Sequence, residues 1–293
     1  MDDDAPAEGS RAKHAAWLGP ACAVAATGLG LVYLAVAGAP GRYAAVNAAA
    51  LVVGLIAMAL VAKRARPWGF AVLALGTALL ATALFGHALD GVTRWVRVDP
   101  LSLQPSLILL PAMCVMFAGV GGGVAAGGMS LAALALALQP DRAMAGALVA
   151  ALTAVTFARP DRWRLTAWAV AVAGFVVTLA RPDTLPAQAY VERVLNSAFQ
   201  VHVFAGLAVW IGAAVLILPA VAGAILQPDD RARYLAFGAV WLAIIAASVL
   251  GNYPTPLVGY GASSILGYAL SVGALNLRSA VPVPPRTARA TCV

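Results

Sequence analysis

The sequence predicts an all-α membrane protein with about ten transmembrane helices in one bundle, and three observations carry that prediction. Of the 293 residues, 62% are hydrophobic and only 11% are charged, whereas about half of a typical soluble domain is apolar. The mean hydropathy is +0.88. Ten apolar runs follow one another, most of them near the ~20 residues that a helical span needs, at 16–38, 44–62, 68–86, 105–120, 124–138, 143–158, 165–180, 199–226, 234–250 and 257–277.

The positions of Lys and Arg predict the orientation of these spans. With a cytoplasmic N-terminus and ten crossings, 13 of the 19 Lys and Arg residues fall inside and 6 outside, the outer ones being Arg42, Arg94, Arg97, Arg142, Arg181 and Arg193. This asymmetry obeys the positive-inside rule. Merging the fourth and fifth runs, which only the glycine-rich stretch 119–128 separates, would invert everything downstream and abolish the asymmetry. Both termini are therefore predicted to be cytoplasmic.

The chain divides into three predicted parts. Residues 1–14 form a cytoplasmic N-terminal tail, residues 15–278 the transmembrane domain, and residues 279–293, rich in Pro and Arg, a disordered cytoplasmic tail. No convincing cleavage site interrupts the first apolar run, so we expect an uncleaved first span. The net charge of +7 is spread over short loops, which fits topology and membrane lipids better than nucleic acid.

Cysteine and histidine offer no predicted site. Cys22, Cys114 and Cys292 are far apart and have neither the pattern of a disulfide framework nor the spacing of metal ligands. The three histidines are equally isolated. No metal site is therefore predicted from these residues.

The longest polar interruption in the first half of the chain, residues 87–107, contains the first candidate site. A charged loop between two apolar runs must lie at the membrane surface, because hydrocarbon would penalise it by several kcal/mol. A tryptophan beside an arginine suits that interface, with the guanidinium available to phosphates. A plain extracytoplasmic loop with interfacial anchors explains the same composition. The candidate binding residues are Arg94, Trp95, Arg97, Gln104 and Ser106.

Two further polar clusters open later apolar runs. Gln139-Pro140-Asp141 precedes the sixth run, where a proline and a carboxylate in the first turn are a routine helix start. Residues 256–264 open the last run with small residues that allow close helix packing, and the serines there can satisfy a backbone interrupted by glycines. A helix start and a packing seam are the structural explanations of these clusters. The candidate binding residues are Asp141, Tyr260, Ser263 and Ser264.

Taken together, the clusters resemble the signatures of the SEDS family, the FtsW/RodA-type membrane proteins that polymerise lipid II during bacterial division and elongation. Residues 90–95 followed by 104–106 resemble the family's NGxxRW…QPSE signature, 139–145 are similar to QPDxGTA, and 256–264 are similar to PFxSYGGSS. The resemblance covers roughly residues 45–278. It implies a SEDS-like bundle in the cytoplasmic (inner) membrane of a bacterium.

The resemblance also implies an activity, a lipid-II-dependent peptidoglycan glycosyltransferase working with a single-span transpeptidase, a class B penicillin-binding protein. In that reaction a sugar hydroxyl attacks an anomeric carbon while a lipid pyrophosphate leaves, so a base and cations are needed. Asp183 is the only aspartate in the loop between the seventh and eighth runs and is the candidate catalytic base, and Arg193 is a further candidate cation. No cofactor is firmly predicted, and a divalent cation at the pyrophosphate remains an open alternative.

Departures from the family pattern keep a second hypothesis open. Leu107 and Leu110 stand where the family has Glu and Lys, and the loop at 181–198 lacks the segment that carries the family's essential aspartate. These departures favour a divergent, catalytically degenerate relative that acts as a lipid-II-binding or regulatory membrane subunit. A third hypothesis, a transporter of lipid-linked precursors, would require ionisable residues at mid-membrane, and the ten runs contain almost none.

Overall fold

A computed structural model describes residues 5–63, 68–86, 93–98, 101–181 and 186–276, with side chains from Trp17 onward. Twelve α-helices and one two-stranded ribbon occupy these ranges. The helices are α1 Ala5–Val36, α2 Gly41–Lys63, α3 Trp68–Phe85, α4 Pro105–Val120, α5 Gly122–Leu138, α6 Arg142–Ala158, α7 Arg162–Leu179, α8 Val194–Val201, α9 Val203–Val215, α10 Leu218–Leu226, α11 Arg231–Leu250 and α12 Ala262–Leu275. The strands are β1 Val96–Val98 and β2 Leu101–Leu103.

Six helical segments in the described ranges are long and apolar enough to cross a membrane, and four more are apolar but shorter. The six are Trp17–Val36, Gly41–Lys63, Trp68–Phe85, Arg162–Leu179, Val203–Leu226 and Pro228–Leu250, and the shorter four are α4, α5, α6 and α12. The predicted helical, multi-pass membrane fold is therefore confirmed. Ten crossings and the cytoplasmic location of the termini stay predictions, and the predicted tail at 279–293 lies outside the described residues.

The shorter helices α4 and α12 form the centre of the bundle. Nearly every α12 side chain and most α4 side chains from Leu107 onward are buried. Helix α12 packs on α2 and α4, while α11 packs on α4 and α6. Helices α2, α3 and α7 instead bury only three residues each and leave many apolar side chains exposed, as expected of helices that face lipid.

Helices α3 and α5 pack through two glycines. A Cβ atom built on Gly76 would lie 2.1 Å from the Gly128 carbonyl oxygen, and one on Gly128 would lie 2.4 Å from the Val72 oxygen. No side chain fits between backbones this close, which is how small residues serve membrane helix pairs. At the preceding turn, Gly121 and Gly122 have φ of 62° and 80°. Glycine therefore reverses the chain between α4 and α5, as the sequence allowed.

Different arginines lie at the two ends of the bundle. At one end the Arg142 guanidinium donates to the Arg181 carbonyl at 2.9 Å, and Arg181 donates to the Leu138 carbonyl. At the other end Arg164 pairs with Asp161 and also donates to the Ala118 carbonyl at 3.4 Å. Arg142 and Arg181, which were predicted to be outside, thus lie at the opposite end of the bundle from Arg164, which was predicted to be inside.

Four elements differ from the sequence-based expectation. The run at 199–226 is broken between α9 and α10, where Pro219 lacks an N–H for the hydrogen-bond ladder. The Ala220 N–H donates to the Ile217 carbonyl, and the Leu216 carbonyl instead accepts the Tyr268 hydroxyl at 3.0 Å. The supposed loop at 181–198 contains the start of α8, which buries Val194 and Leu195. The last helix begins at residue 262, not 257, and the supposed loop after residue 95 contains β1 and β2.

Candidate functional site

The three polar clusters singled out in the sequence meet at one end of the bundle, where α4, α6 and α12 begin. Gln104 joins them. Its main-chain N–H donates to the Ser263 hydroxyl at 2.9 Å, and its side-chain amide donates to the Asp141 carboxylate at 2.9 Å. Residues separated by 159 and 37 positions in the chain are therefore hydrogen-bonded through one side chain and its backbone.

Asp141 is a buried carboxylate held at a helix N-terminus. It is 1% exposed. One carboxylate oxygen accepts the Met144 main-chain N–H at 3.2 Å, and the other accepts the Ser106 hydroxyl at 3.0 Å and the Gln104 amide. Hydrogen bonds and the positive ends of helix dipoles are what make a buried carboxylate tolerable. Asp141 is thus the N-cap of α6, as its position after Pro140 indicates.

Arg94 is buried beside this cluster. Its Nε donates to the Gln139 carbonyl at 3.2 Å, and its guanidinium also donates to the Pro140 carbonyl. Thr93 anchors the same segment, since its hydroxyl donates to the Ala83 carbonyl at 3.2 Å. The planar guanidinium suits two adjacent carbonyls, so Arg94 connects the segment before β1 to the turn before α6.

Trp95 immediately precedes the ribbon and Gln104 immediately follows it. Strands β1 and β2 are antiparallel, with Val96 opposite Leu103 and Arg97 opposite Ser102. The sequence Val-Arg-Val and Leu-Ser-Leu alternates apolar and polar side chains, with Asp-Pro between them, which is the pattern of a hairpin. The alternation is only three residues long on each side, which is too short to distinguish a strand from a loop by sequence.

A cavity of 440 Å³ lies directly above the cluster. Of its sixteen described lining residues, eight are apolar or glycine, seven carry amide, hydroxyl or aromatic groups, and one, Glu192, is acidic. The lining residues are Val46, Trp95, Leu101, Ser102, Gln104, Leu107, Pro186, Gln188, Val191, Glu192, Pro254, Tyr260, Gly261, Ala262, Ser263 and Ser264.

Two segments close the cavity, the strap (residues 186–193) and the α11–α12 loop (residues 251–261). They are joined through the main chain. Thr255 N–H donates to the Val191 carbonyl at 2.8 Å, and Tyr260 N–H donates to the Tyr190 carbonyl at 2.6 Å. Glu192 and Pro254 form an antiparallel bridge between the same segments. Main-chain bonds hold the strap against the loop, so the wall of the cavity is defined by backbone geometry.

Strained backbone concentrates in the strap and the α11–α12 loop. Tyr190, Arg193 and Leu257 have φ of 65°, 56° and 59°. A residue with a Cβ pays about 1–2 kcal/mol for this left-handed conformation. Such residues persist where the surrounding structure fixes them, and they cluster at functional sites.

Asn47 supports the α11–α12 loop from beneath and was missed by the sequence analysis. Its side chain is fully buried. The amide N–H donates to the Gly259 carbonyl at 2.9 Å, and the amide oxygen accepts the Gly261 N–H at 3.1 Å. A single asparagine inside the apolar run at 44–62 was the available signal, since a buried amide in a membrane helix needs partners.

Aromatic rings flank the loop at the same point. The Tyr43 and Tyr260 rings stack with centroids 3.8 Å apart, and the Arg42 guanidinium lies 5.6 Å from the Tyr43 centroid. Burial raises the pKa of Tyr260, although the Arg42 charge acts in the opposite direction. The Tyr260 hydroxyl is therefore protonated at neutral pH and able both to donate and to accept a hydrogen bond.

The predicted site residues fall into three groups. Five of them line the cavity, and three lie in the cluster beneath it, whereas Arg97 and Arg193 are exposed and are not among the described lining residues. Asp183 lies outside the described residues. The lining group is Trp95, Gln104, Tyr260, Ser263 and Ser264, and the lower group is Arg94, Ser106 and Asp141.

The lining of the cavity combines polar and apolar side chains. Hydroxyls, amides and aromatic faces bind sugar-like molecules through many neutral hydrogen bonds and ring contacts, and pockets of this size hold small ligands. Within the described ranges, no group of three or more His, Cys, Asp or Glu could hold a metal ion. The site faces a bundle that is otherwise apolar, so its ligand is expected to have one polar and one apolar part.

Comparison with known proteins identifies the fold. No protein-family model matches the sequence, and no curated protein sequence matches it. Among solved structures, the rod-shape-determining protein RodA of Thermus thermophilus is similar with a TM-score of 0.59 at 20% identity, over 87% of this chain and 93% of that one. An alanine variant of the same protein gives 0.61. A chain from a peptidoglycan synthase complex that coordinates polymerization and crosslinking gives 0.60 at 22% identity, over 89% of this chain and 96% of that one. The chain therefore has a RodA-like fold.

Proposed function

We propose that the protein binds lipid II, an undecaprenyl-linked disaccharide-peptide, at the outer face of the bacterial cytoplasmic membrane and polymerises its sugars into glycan strands. The observation that carries the proposal is the meeting of three polar clusters around one cavity at the end of an apolar bundle. A RodA-like fold around that cavity supports the same function.

The shape of the substrate explains the arrangement of the site. A prenyl chain is as apolar as the lipid-facing helices, so it can stay in the bilayer. The sugars carry hydroxyls and amides, which the Gln104, Tyr260, Ser263 and Ser264 side chains can pair with in the 440 Å³ cavity. Only a ligand with both parts uses both surfaces, which disfavours a freely soluble substrate.

The orientation of the protein follows from the same proposal. Ten crossings with both termini in the cytoplasm put the cavity on the outer side, and the positive-inside asymmetry of the sequence supports that topology. The bundle would then work beside a single-span transpeptidase of the class B penicillin-binding type, since polymerised strands must be crosslinked.

Reconstituted polymerisation tests the proposal. The purified full chain, mixed in liposomes with the transpeptidase from the same organism, is given fluorescent lipid II, and products are separated on a gel. We expect a ladder of glycan strands. A ladder that is equally strong with the Gln104→Leu, Ser263→Val double variant would contradict the proposed site.

A second function, lipid II binding without polymerisation, is favoured by two residues. Leu107 lines the cavity and Leu110 is fully buried one turn later, so apolar side chains occupy the positions where the resembling family has an acid and a base. Retention of fluorescent lipid II by the purified protein, with no polymer under any condition and with loss of retention in the double variant, would select this binding role.

A further inference from the structure

Glu192 differs from every other described residue that lines the cavity, because it alone has an acidic side chain. Its carboxylate accepts the Gln188 main-chain N–H at 3.0 Å, and its own N–H donates to the Gln188 carbonyl at 3.0 Å. The bridge to Pro254 holds the same residue against the α11–α12 loop. The carboxylate is thus fixed on a wall of the cavity by the backbone of the strap.

The other carboxylate near the site lies beneath the cavity and is enclosed by its partners. Asp141 is 1% exposed and does not line the cavity. Its two oxygens accept three hydrogen bonds, from Met144, Gln104 and Ser106. Using Asp141 as a base would require dismantling the contacts that join α4 to α6. A molecule in the cavity therefore meets the carboxylate of Glu192 and not that of Asp141.

The rest of the lining indicates which part of a reaction takes place there. No described lining residue is cationic, while Trp95 and Tyr260 offer ring faces and Gln104 and Ser263 offer neutral polar groups. A leaving pyrophosphate needs cations or helix N-termini around it, and the described lining offers the N-terminus of α12 but no cationic side chain. A sugar hydroxyl needs neutral partners and a base. The Glu192 carboxylate and the neutral polar side chains together match the attacking sugar, the acceptor.

We propose that Glu192 is the catalytic base of the polymerisation, and that the cavity holds the acceptor sugar. The inference rests on the proposed function. The Glu192 carboxylate takes the proton of the acceptor hydroxyl as that oxygen forms a bond to the anomeric carbon of the donor. The bond from this carbon to the pyrophosphate oxygen breaks, and the lipid pyrophosphate leaves with the electron pair. No oxidant, reductant or further co-reactant is needed.

Five variants of the full chain test the proposal in the liposome assay, Glu192→Gln, Glu192→Asp, Asp183→Asn, Asp229→Asn and, for rescue by formate, Glu192→Ala. The first replaces the base with an isosteric amide, the second moves the carboxylate back by one methylene, and the third removes the base predicted from the sequence. Asp229 is exposed at the opposite end of the bundle and undergoes the same change of carboxylate to amide. Each variant is also measured for retention of fluorescent lipid II and for its melting temperature.

Loss of turnover with retained binding is the expected result for Glu192→Gln. General-base catalysis contributes about a hundredfold or more, so strand formation should fall by at least that factor while lipid II retention stays within about threefold of wild type. Glu192→Asp should keep part of the activity, and Asp229→Asn should match wild type. With Glu192→Ala, added formate should restore part of the lost rate, because a small carboxylate fits the space that the side chain leaves.

Other outcomes separate the failure of this inference from the failure of the proposed function. If the wild type forms strands and Glu192→Gln forms as many, Glu192 is not the base, but the proposed function stands. If only Asp183→Asn loses activity, Asp183 is the base. Loss of lipid II retention or of folding in Glu192→Gln, without formate rescue of Glu192→Ala, makes the residue structural. Wild-type protein that forms no strands overturns the polymerase and the base together.

Discussion

Replacing Asn47 with alanine should destabilise the protein more than any other single amide truncation that leaves the cavity lining intact. The side chain is fully buried and makes two hydrogen bonds to the backbone, one to the Gly259 carbonyl and one from the Gly261 N–H. Truncation leaves both backbone groups without a partner, and each such buried group costs about 1–3 kcal/mol. The expected loss is therefore about 2–6 kcal/mol.

Thermal unfolding of the purified protein in detergent measures this loss. At about 2–4 °C per kcal/mol for a chain of this size class, the melting temperature of Asn47→Ala should fall by roughly 5 °C or more. Asn196→Ala is the matched control, because its exposed amide donates a single hydrogen bond to the Val249 carbonyl at 3.1 Å. The control should change little. Equal melting temperatures for the two variants would refute the support that Asn47 is inferred to give the α11–α12 loop.

Three further predictions concern other parts of the framework. Arg94→Lys should lower the free energy of unfolding by about 1–3 kcal/mol, because a lysine ammonium cannot donate to both carbonyls that the Arg94 guanidinium bonds. Urea titration in detergent would measure this loss. Gly76→Ala should greatly reduce the yield of monodisperse protein on size exclusion, because its Cβ meets a main-chain oxygen at 2.1 Å, whereas Gly28→Ala, with nothing within 4 Å, should be neutral or gain up to about 1 kcal/mol. Burial pushes the pKa of Asp161 up, but hydrogen bonds from the α7 N-terminus and the Arg164 charge outweigh it and lower the pKa below 3.8. Its stabilisation is therefore present above pH 3.8 and lost as the pH falls through the lowered pKa, so Asp161→Asn should reduce the melting temperature at pH 7 and by less at pH 3.

Elements whose signals are local were predicted well. The fourth to seventh helices begin and end within a few residues of their apolar runs, and Pro105 and Asp141 lie at the helix starts that their residue types indicate. The sequence also marked Gln104, Asp141 and Ser263 as polar groups at helix entrances. Their mutual hydrogen bonds became visible only in the structure, because separations of up to 159 positions are fixed by packing and not by local pattern.

Elements that depend on long-range contacts were missed. In the sequence, Asn47 is a lone polar residue in an apolar run. Its hydrogen-bond partner Gly259 is 212 positions away in the chain, so no local pattern indicates the contact. The break before Pro219 was absorbed into one long apolar run, since apolar composition continues across it. Glu192 and Asp183 are both carboxylates of the loop at 181–198, and the sequence does not indicate which of them lines the cavity. In the structure, Glu192 bridges to Pro254 and lines the cavity.

Site-specific photocrosslinking to lipid II tests the central claim, that the cavity is where the lipid-linked sugar binds. A photoreactive amino acid replaces Ser102, an exposed residue of the cavity lining, or Phe157, which is exposed near the end of α6 that lies away from Asp141. Both proteins are irradiated with radiolabelled lipid II in liposomes. The account predicts a labelled band at position 102 that unlabelled lipid II competes away and no such band at 157. Equal labelling at both positions, or competed labelling only at 157, would contradict it.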